Sequence, residues 1–281
     1  MATLLDGKKL SAEIRSELKQ KAARIQNQSG REIVLATILV GDDPASATYV
    51  KMKARACESI GITSRPVELS ASTSTAELLA VIDELNADAG VRGILLQHPV
   101  PEQIDERACF DRIQAAKDVD GVTTLGFGQI SFGLPGAYPA CTPAGIIRLM
   151  DAYQIQIEGQ HAVVVGRSAI LGRPVAELLL NRNATVTVCH SRTRDLESHL
   201  SRADIVIAAV GKPEFIHGRH LKPGVVVMDA GYNPGNVGDV EFASCEAKAS
   251  YITPVPGGVG PMTITMLLEH TMQSAQAALG Q

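Results

Sequence analysis

The chain has 281 residues, 45% hydrophobic and 20% charged, with a formal charge of −4. This composition suits one large or two ordinary globular domains and excludes a disordered chain. With 4% aromatics, no tryptophan and no basic surplus, it lacks the footprint of a nucleic-acid-binding surface, and no apolar run nears the roughly 20 residues that span a bilayer.

The first half alternates amphipathic and apolar segments. The pattern predicts a helix over 7–27, a strand over 33–40 ("IVLATILV"), a helix over 44–60 and a strand over 62–69. A helix over 75–87, a strand ending at Gln97 and a helix over 102–115 follow. The helix over 44–60 is punctuated at both ends. Asp43 can cap its free amides, Pro44 suits the first turn, and Gly61 supplies a left-handed stop. The glycine- and proline-rich stretch 121–143 reads as a linker, and a helix is expected near 142–153.

Beyond it lie four apolar, β-branched strands: "HAVVVG" (161–166), "ATVTVCH" (184–190), "DIVIAAVG" (204–211) and "GVVVMDAG" (224–231). Continuous rather than alternating apolarity predicts a parallel sheet covered on both faces. The fold class is therefore α/β, with a last helix from Met262 to about Ala278 expected to pack back on the first domain. The N-terminus "MATLLDGKKLSAEIRSELKQ" is charged and amphipathic, without a signal-peptide apolar core. Five scattered cysteines and seven histidines show neither Cys-x-x-Cys nor His-Glu-x-x-His spacing, which predicts a reduced, cytoplasmic, metal-free protein.

Four segments carry chemistry. In "VVVGRSAILG", Gly166, Arg167 and Ser168 occupy a strand-to-helix turn whose amides suit a pyrophosphate, although a plain tight turn reads the same way. The next strand ends in "CHSRTR". An NAD site would place an acidic residue there, whereas Ser191, Arg192 and Arg194 favour a 2′-phosphate and hence NADP, unless they form only a solvated loop. In "TYVKMK", Tyr49 and Lys53 lie one helical turn apart, a spacing shared by unrelated dehydrogenases and by idle helix faces. Gln97, in "GILLQHPVP", ends a buried strand, and "KDVDG" (117–121) reads as a turn, a metal site or a ligand-edge contact. Finally, "ITPVPGGVGPMT" is too rich in proline and glycine for a strand or helix before Met262, and predicts a shaped functional loop.

Together these motifs resemble the methylenetetrahydrofolate dehydrogenase/cyclohydrolase family, over essentially the full chain from "LLDGKKLSAEI" to the final helix. The resemblance implies two domains with a cleft between them. The N-terminal α/β catalytic domain would span 1–121, completed by the C-terminal helix from about 262, and a Rossmann-type NADP domain 122–261. It implies oxidation of 5,10-methylenetetrahydrofolate with NADP, hydrolysis of the methenyl product to 10-formyltetrahydrofolate, a role in purine biosynthesis, and homodimerisation through the nucleotide domain. Tetrahydrofolate derivatives would be the partners, with no nucleic acid and no membrane.

By the same resemblance Lys53, Tyr49, Gln97 and Asp120 are the catalytic residues. Gly166, Arg167, Ser168, Ser191, Arg192 and Tyr232 hold NADP. Leu96, His98, Pro256, Gly257, Gly258 and Pro261 line the substrate, with the loop continuing to Ile264. The chemistry agrees. A methenyl cation is stabilised by its two flanking nitrogens, so oxidation asks mainly for orientation. Hydration needs a proton carrier, a role open to a lysine whose charged form is disfavoured by burial. Gln97 can orient that amine without adding negative charge, and Asp120 suits the two donors of an amino-pyrimidinone edge.

Two positions depart from the family pattern. His98 stands where an apolar residue is usual, and reads as packing variation without a catalytic role. Val122-Thr123-Thr124-Leu125 replaces the usual His-Pro after "DVDG". Both leave open whether one activity dominates or is lost. A short-chain dehydrogenase would share the tyrosine–lysine spacing, but it places its nucleotide turn ahead of the tyrosine. Here the turn follows Tyr49 by more than a hundred residues. A non-catalytic nucleotide sensor is disfavoured by the presence of Lys53, Gln97 and Asp120 together.

Overall fold

The computed structural model describes residues 2–280. In chain order the first elements are β1 (Thr3–Leu4), α1 (Gly7–Ser29), β2 (Val34–Val40), α2 (Pro44–Ile60), β3 (Thr63–Leu69), α3 (Thr75–Ala87) and β4 (Val91–Leu96). Then come α4 (Glu106–Arg112), α5 (Thr124–Ser131), α6 (Cys141–Ala152), β5 (His161–Val165), α7 (Gly172–Leu180) and β6 (Thr185–Cys189). The chain closes with α8 (Leu196–Leu200), β7 (Ile205–Ala208), β8 (Val225–Asp229), α9 (Phe242–Glu246), β9 (Ala249–Ile252) and α10 (Val259–Ala277). It divides into two compact units: residues 13–139 with 264–281, and residues 1–12 with 140–263.

The first unit is built on a parallel sheet in the order β3-β2-β4. Central β2 is apolar along its length because both of its faces are covered. Edge strand β3 alternates in burial and tolerates Pro66, which a central strand would not. Leu78, Ile82 and Leu85 of α3 pack with Ile38, Ile94 and Phe110 in its core. The anticipated punctuation of α2 is present: an Asp43 carboxylate oxygen accepts from the Ser46 amide at 2.7 Å, Pro44 opens the helix, and Gly61 closes it at φ 85°.

The second unit carries a six-stranded parallel sheet in the order β1-β9-β8-β7-β5-β6. The chain runs outward from β5 to β6, then crosses back to lay β7 on the other side of β5. That reversal opens a crevice at the carboxyl ends of β5 and β7, where ligands of such sheets gather.

The elements correct several expectations. The sheet holds six strands rather than four, because β9 and two-residue β1 join it. The stretch read as a linker contains α5, and residues 122–139 belong to the three-stranded unit while residues 1–12 belong to the six-stranded one. The physical tie is local. Asp118 accepts from the amides of Gly121, Val122 and Thr123, Arg107 donates to the Val122 carbonyl, and Thr123 caps α5. The helix expected over 102–115 is shorter, and α10 begins at Val259, ahead of Gly260 and Pro261, since proline is tolerated in a first turn. All five cysteines are free and buried. Among the described residues no helix is long and apolar enough to cross a membrane.

Candidate functional site

Lys53 lies on α2, half-buried, and its Nζ donates to Oε1 of Gln97 at 2.9 Å. Gln97 follows β4 directly. Its amide continues the ladder by donating to the Ile38 carbonyl, and its Nε2 donates to the carbonyl of His98 at 2.7 Å. The glutamine is therefore held at both ends, and its oxygen is committed to the lysine. Among the described residues Lys53 forms no ion pair, so a neutral acceptor orients it. Tyr49, one turn earlier on the same helix face, is 44% exposed. Lys51, by contrast, is an exposed helix residue.

The two carboxylates of "KDVDG" separate cleanly. Asp118 is 2% exposed and accepts from three successive backbone amides at 3.0–3.1 Å, which makes the turn. Burial pushes its carboxyl above the ordinary value, against those hydrogen bonds. Asp120 is half-buried and, among the described residues, takes no hydrogen bond. His270 of α10 supports the turn from beneath. Its buried Nδ1 donates to the Val119 carbonyl at 2.9 Å, and burial lowers its basicity. Leu96 does not line a site through its side chain, which is 2% exposed within the hydrophobic core.

In the other unit Gly166 sits at φ 134°, and a Cβ there would overlap the Ala209 carbonyl oxygen. A Cβ on Gly172 would in turn overlap the Gly166 carbonyl. These two glycines make the tight strand-to-helix turn and the close helix–sheet packing that a dinucleotide fold requires. Ser168 Oγ accepts from the Gly172 amide at 3.3 Å, and the Arg167 side chain is exposed. The Gly166 amide donates to the Cys189 carbonyl, tying this turn to the end of β6. There Ser191, Arg192 and Arg194 are exposed, and among the described residues their side chains form no hydrogen bond or ion pair. Tyr232 follows β8 at the same sheet edge, 60% exposed, with its hydroxyl donating to Asn236 at 2.7 Å.

The loop after β9 is shaped by close backbone approaches. The Gly258 amide donates to the Pro254 carbonyl, the Lys8 amide to the Gly257 carbonyl, and the Ser11 hydroxyl to the Pro261 carbonyl. Gly258 is buried, packed where a Cβ would crowd Thr253, so it serves the loop itself. Pro256 is exposed and Gly257, at φ 110°, is half-exposed.

Comparison with known proteins bears on the same segments. The catalytic-domain model of the tetrahydrofolate dehydrogenase/cyclohydrolase family matches residues 5–120, and its NAD(P)-binding-domain model matches residues 140–279. The bifunctional protein FolD of Saccharophagus degradans is 61% identical over 279 residues, covering 99% of both chains; that of Shouchella clausii is 60% identical over 276 residues, covering 98% of both. The chain belongs to the tetrahydrofolate dehydrogenase/cyclohydrolase family.

Solved structures of the family agree. The bifunctional FolD of Campylobacter jejuni superposes with a TM-score of 0.97 at 48% identity, covering 99% of each chain. The Trypanosoma brucei enzyme, solved with NADP and an inhibitor, superposes at 0.95 with 35% identity, covering 100% of this chain and 99% of that one. Against the family pattern, the two departures now have physical roles. His98 is exposed and pairs through Nδ1 with Glu106 at 2.7 Å, while only its carbonyl touches Gln97. Thr123 and Thr124 build the start of α5, the latter by donating to Asp111 from both its amide and its hydroxyl. Sequence reasoning missed His270, and also the buried carboxylates Asp229 and Asp239. No motif spacing marks them, because each acts on backbone groups that only the fold brings near.

Proposed function

We propose that this chain oxidises 5,10-methylenetetrahydrofolate with NADP⁺ to the methenyl compound and hydrolyses that product to 10-formyltetrahydrofolate. The observation that carries this reading is the Lys53–Gln97 hydrogen bond, with Tyr49 one turn away and a carboxylate, Asp120, unengaged in the same unit. Asp120 would take the two donors of the pterin edge in a bidentate pair, and the Tyr49 ring would pack on its flat face. In hydration, Lys53 moves the proton between the attacking water and the departing ring nitrogen, and Gln97 keeps its amine aimed.

NADP⁺, when bound, supplies the hydride acceptor. The residues present suit it: a glycine turn free of side-chain obstruction, a helix opening behind it, and Ser191, Arg192 and Arg194 unengaged at the end of β6. Arg167 and Tyr232 would flank the same edge. The 10-formyl product is a formyl donor of the kind purine synthesis consumes, in the cytoplasm. A homodimer through the six-stranded unit is supported by β6, an edge strand with one unpaired side and with Val188 exposed.

An absorbance assay for methenyltetrahydrofolate formation with NADP⁺, followed by its decay, tests the whole reading. Lys53→Met is expected to cut hydration at least about a hundredfold while NADP⁺ binding stays. Hydration at the wild-type rate would remove Lys53 from the chemistry.

A further inference from the structure

Beyond the glycine turn, the six-stranded unit contains a feature that nucleotide motifs do not explain. Asp239 is fully buried, and no cation faces it. Its Oδ2 accepts from the amides of Val210 at 2.6 Å and Gly211 at 2.9 Å, and its Oδ1 from the Lys212 amide at 3.0 Å and Asn233 Nδ2 at 3.1 Å. Three successive amides of the loop after β7 thus converge on one carboxylate. A second buried carboxylate, Asp229 at the end of β8, holds the first in place, accepting from the amides of Asp239 and Val240 at 2.9 and 3.0 Å and of Gly231 at 2.9 Å. Gly231 and Gly238 leave the room required: a Cβ on either would overlap one of the two carboxylates.

The consequence lies on the other side of the loop. With the Val210, Gly211 and Lys212 amides directed inward, the carbonyls of Ala209, Val210 and Gly211 are left without protein donors. Ala209 and Val210 are half-buried, where carbonyls ordinarily find a partner, and Gly211 is exposed. These three follow the carboxyl end of β7, where Ala209 lies against Gly166 at the crevice where the sheet order reverses. The cationic end of the site lies on the opposite side of β5, at β6, where Arg192 and Arg194 await a 2′-phosphate. A dinucleotide laid across the crevice with its adenosine half over β6 brings its nicotinamide half over β7. That half carries hydrogen-bond donors, the ribose hydroxyls and the carboxamide.

We infer that Asp239 is a positioning residue for the nicotinamide half of the cofactor: it turns the 209–212 loop so that its carbonyls face the ribose hydroxyls and the carboxamide. The inference rests on the NADP reading above. It deepens that reading by dividing the labour of the sheet edge, with side chains at β6 taking the phosphate and oriented backbone at β7 taking the nucleoside. Asp229 supports the arrangement through Asp239 and touches no loop carbonyl itself.

Asp239→Asn keeps the size of the side chain but replaces one acceptor oxygen with a donor, so at least one loop amide loses its partner and the loop must turn. The test measures the dissociation constants of two probes by calorimetry on the purified full chain. NADP⁺ contains both halves, and 2′,5′-ADP contains only the adenosine half with its 2′-phosphate. NADP⁺ affinity is expected to fall about tenfold or more in the variant, with 2′,5′-ADP affinity unchanged within about twofold. An equal loss of both would make Asp239 a support of the unit as a whole, and unchanged NADP⁺ affinity would make the loop irrelevant; either result overturns the inference. If the wild type binds neither probe, it is the NADP reading itself that fails. Should Asp239→Asn not fold, Gly211→Ala decides on the same two probes. Gly211 lies at φ 64° with open space around its Cβ position, so alanine strains only the loop backbone. The same selective loss is expected, and its absence overturns the inference equally.

Discussion

The two units prepare their chemistry in opposite ways. In the three-stranded unit the proposed working groups are side chains, Tyr49 and Lys53 from a helix face, Gln97 from a strand end and Asp120 from a turn. Buried groups beneath them only fix the backbone. In the six-stranded unit much of the proposed working surface is backbone: the Gly166 turn and the 209–212 loop. There it is the buried side chains, Asp229 and Asp239, that set its direction. A proton-transfer site needs titratable side chains held still, whereas a dinucleotide site needs close approach of main chain. On the proposed function, the same residue type, a carboxylate, faces the ligand in one unit and the interior in the other.

The sharpest break is expected where backbone approach is closest. Gly166→Ala forces a Cβ into the Ala209 carbonyl at a φ of 134°, which an L side chain rarely adopts. Relief requires the β5 turn and the β7 end to separate, at a cost of about 3 kcal/mol or more. Calorimetric titration is expected to show NADP⁺ binding lost, and urea unfolding a matching drop in stability. A variant that binds NADP⁺ normally would show that the turn has no such constraint.

The next test uses two carboxylates two residues apart. Asp118→Asn replaces one of the two acceptor oxygens with a donor, so at least one of the three amides loses its partner, and is expected to lower stability by about 2 kcal/mol. Asp120→Asn, which breaks no protein hydrogen bond, is expected to leave stability within about 0.5 kcal/mol and to raise the KM for the folate about tenfold. Denaturation midpoints and steady-state kinetics on both variants separate the roles. If the stability and KM effects came out exchanged, the division between scaffold and ligand carboxylate would be reversed.

How far the sequence alone reaches follows the same line. The capped helix α2 and the apolar parallel strands were legible, because each is declared by residue type and spacing. Lys53, Gln97 and Asp120 are singled out only through the family resemblance, since the tyrosine–lysine spacing and the "KDVDG" turn each allow an idle reading. Strand β9 and the two-residue β1 were not legible, since strands of four and two residues are too short to carry a periodicity. Helix α5 escaped because "TLGFGQIS" contains two glycines and no apolar period, and Thr123 caps it only once Asp118 has built the preceding turn. That Leu96 points into the core while Gln97 beside it reaches Lys53 follows from strand alternation. Asp239 was beyond reach for a different reason. Its partners are amides 27 to 29 residues earlier, and main-chain donors are the same in every sequence.

The smallest expected effect probes the interior carboxylates by pH. Burial, reinforced by the facing Asp239 carboxylate and opposed by the amides of Asp239, Val240 and Gly231, pushes the Asp229 carboxyl up from 3.8 to about 6. Thr253, packed on it from beyond β9, adds only a hydroxyl that accepts from the Asp229 amide. A folded-state value above the unfolded one means the native protein binds the extra proton, so this group disfavours folding increasingly as pH rises through that window, by about 3 kcal/mol once fully ionised. Acidification from pH 7 to 5 relieves about 1 kcal/mol of this. In Asp229→Asn the titration is absent, while every other ionisable group is shared with the wild type. The stability advantage of the wild type over the variant, measured by urea unfolding at each pH, is therefore expected to widen by about 1 kcal/mol between pH 7 and 5. A constant difference across that range would place the ionisation of Asp229 at an ordinary carboxylate value.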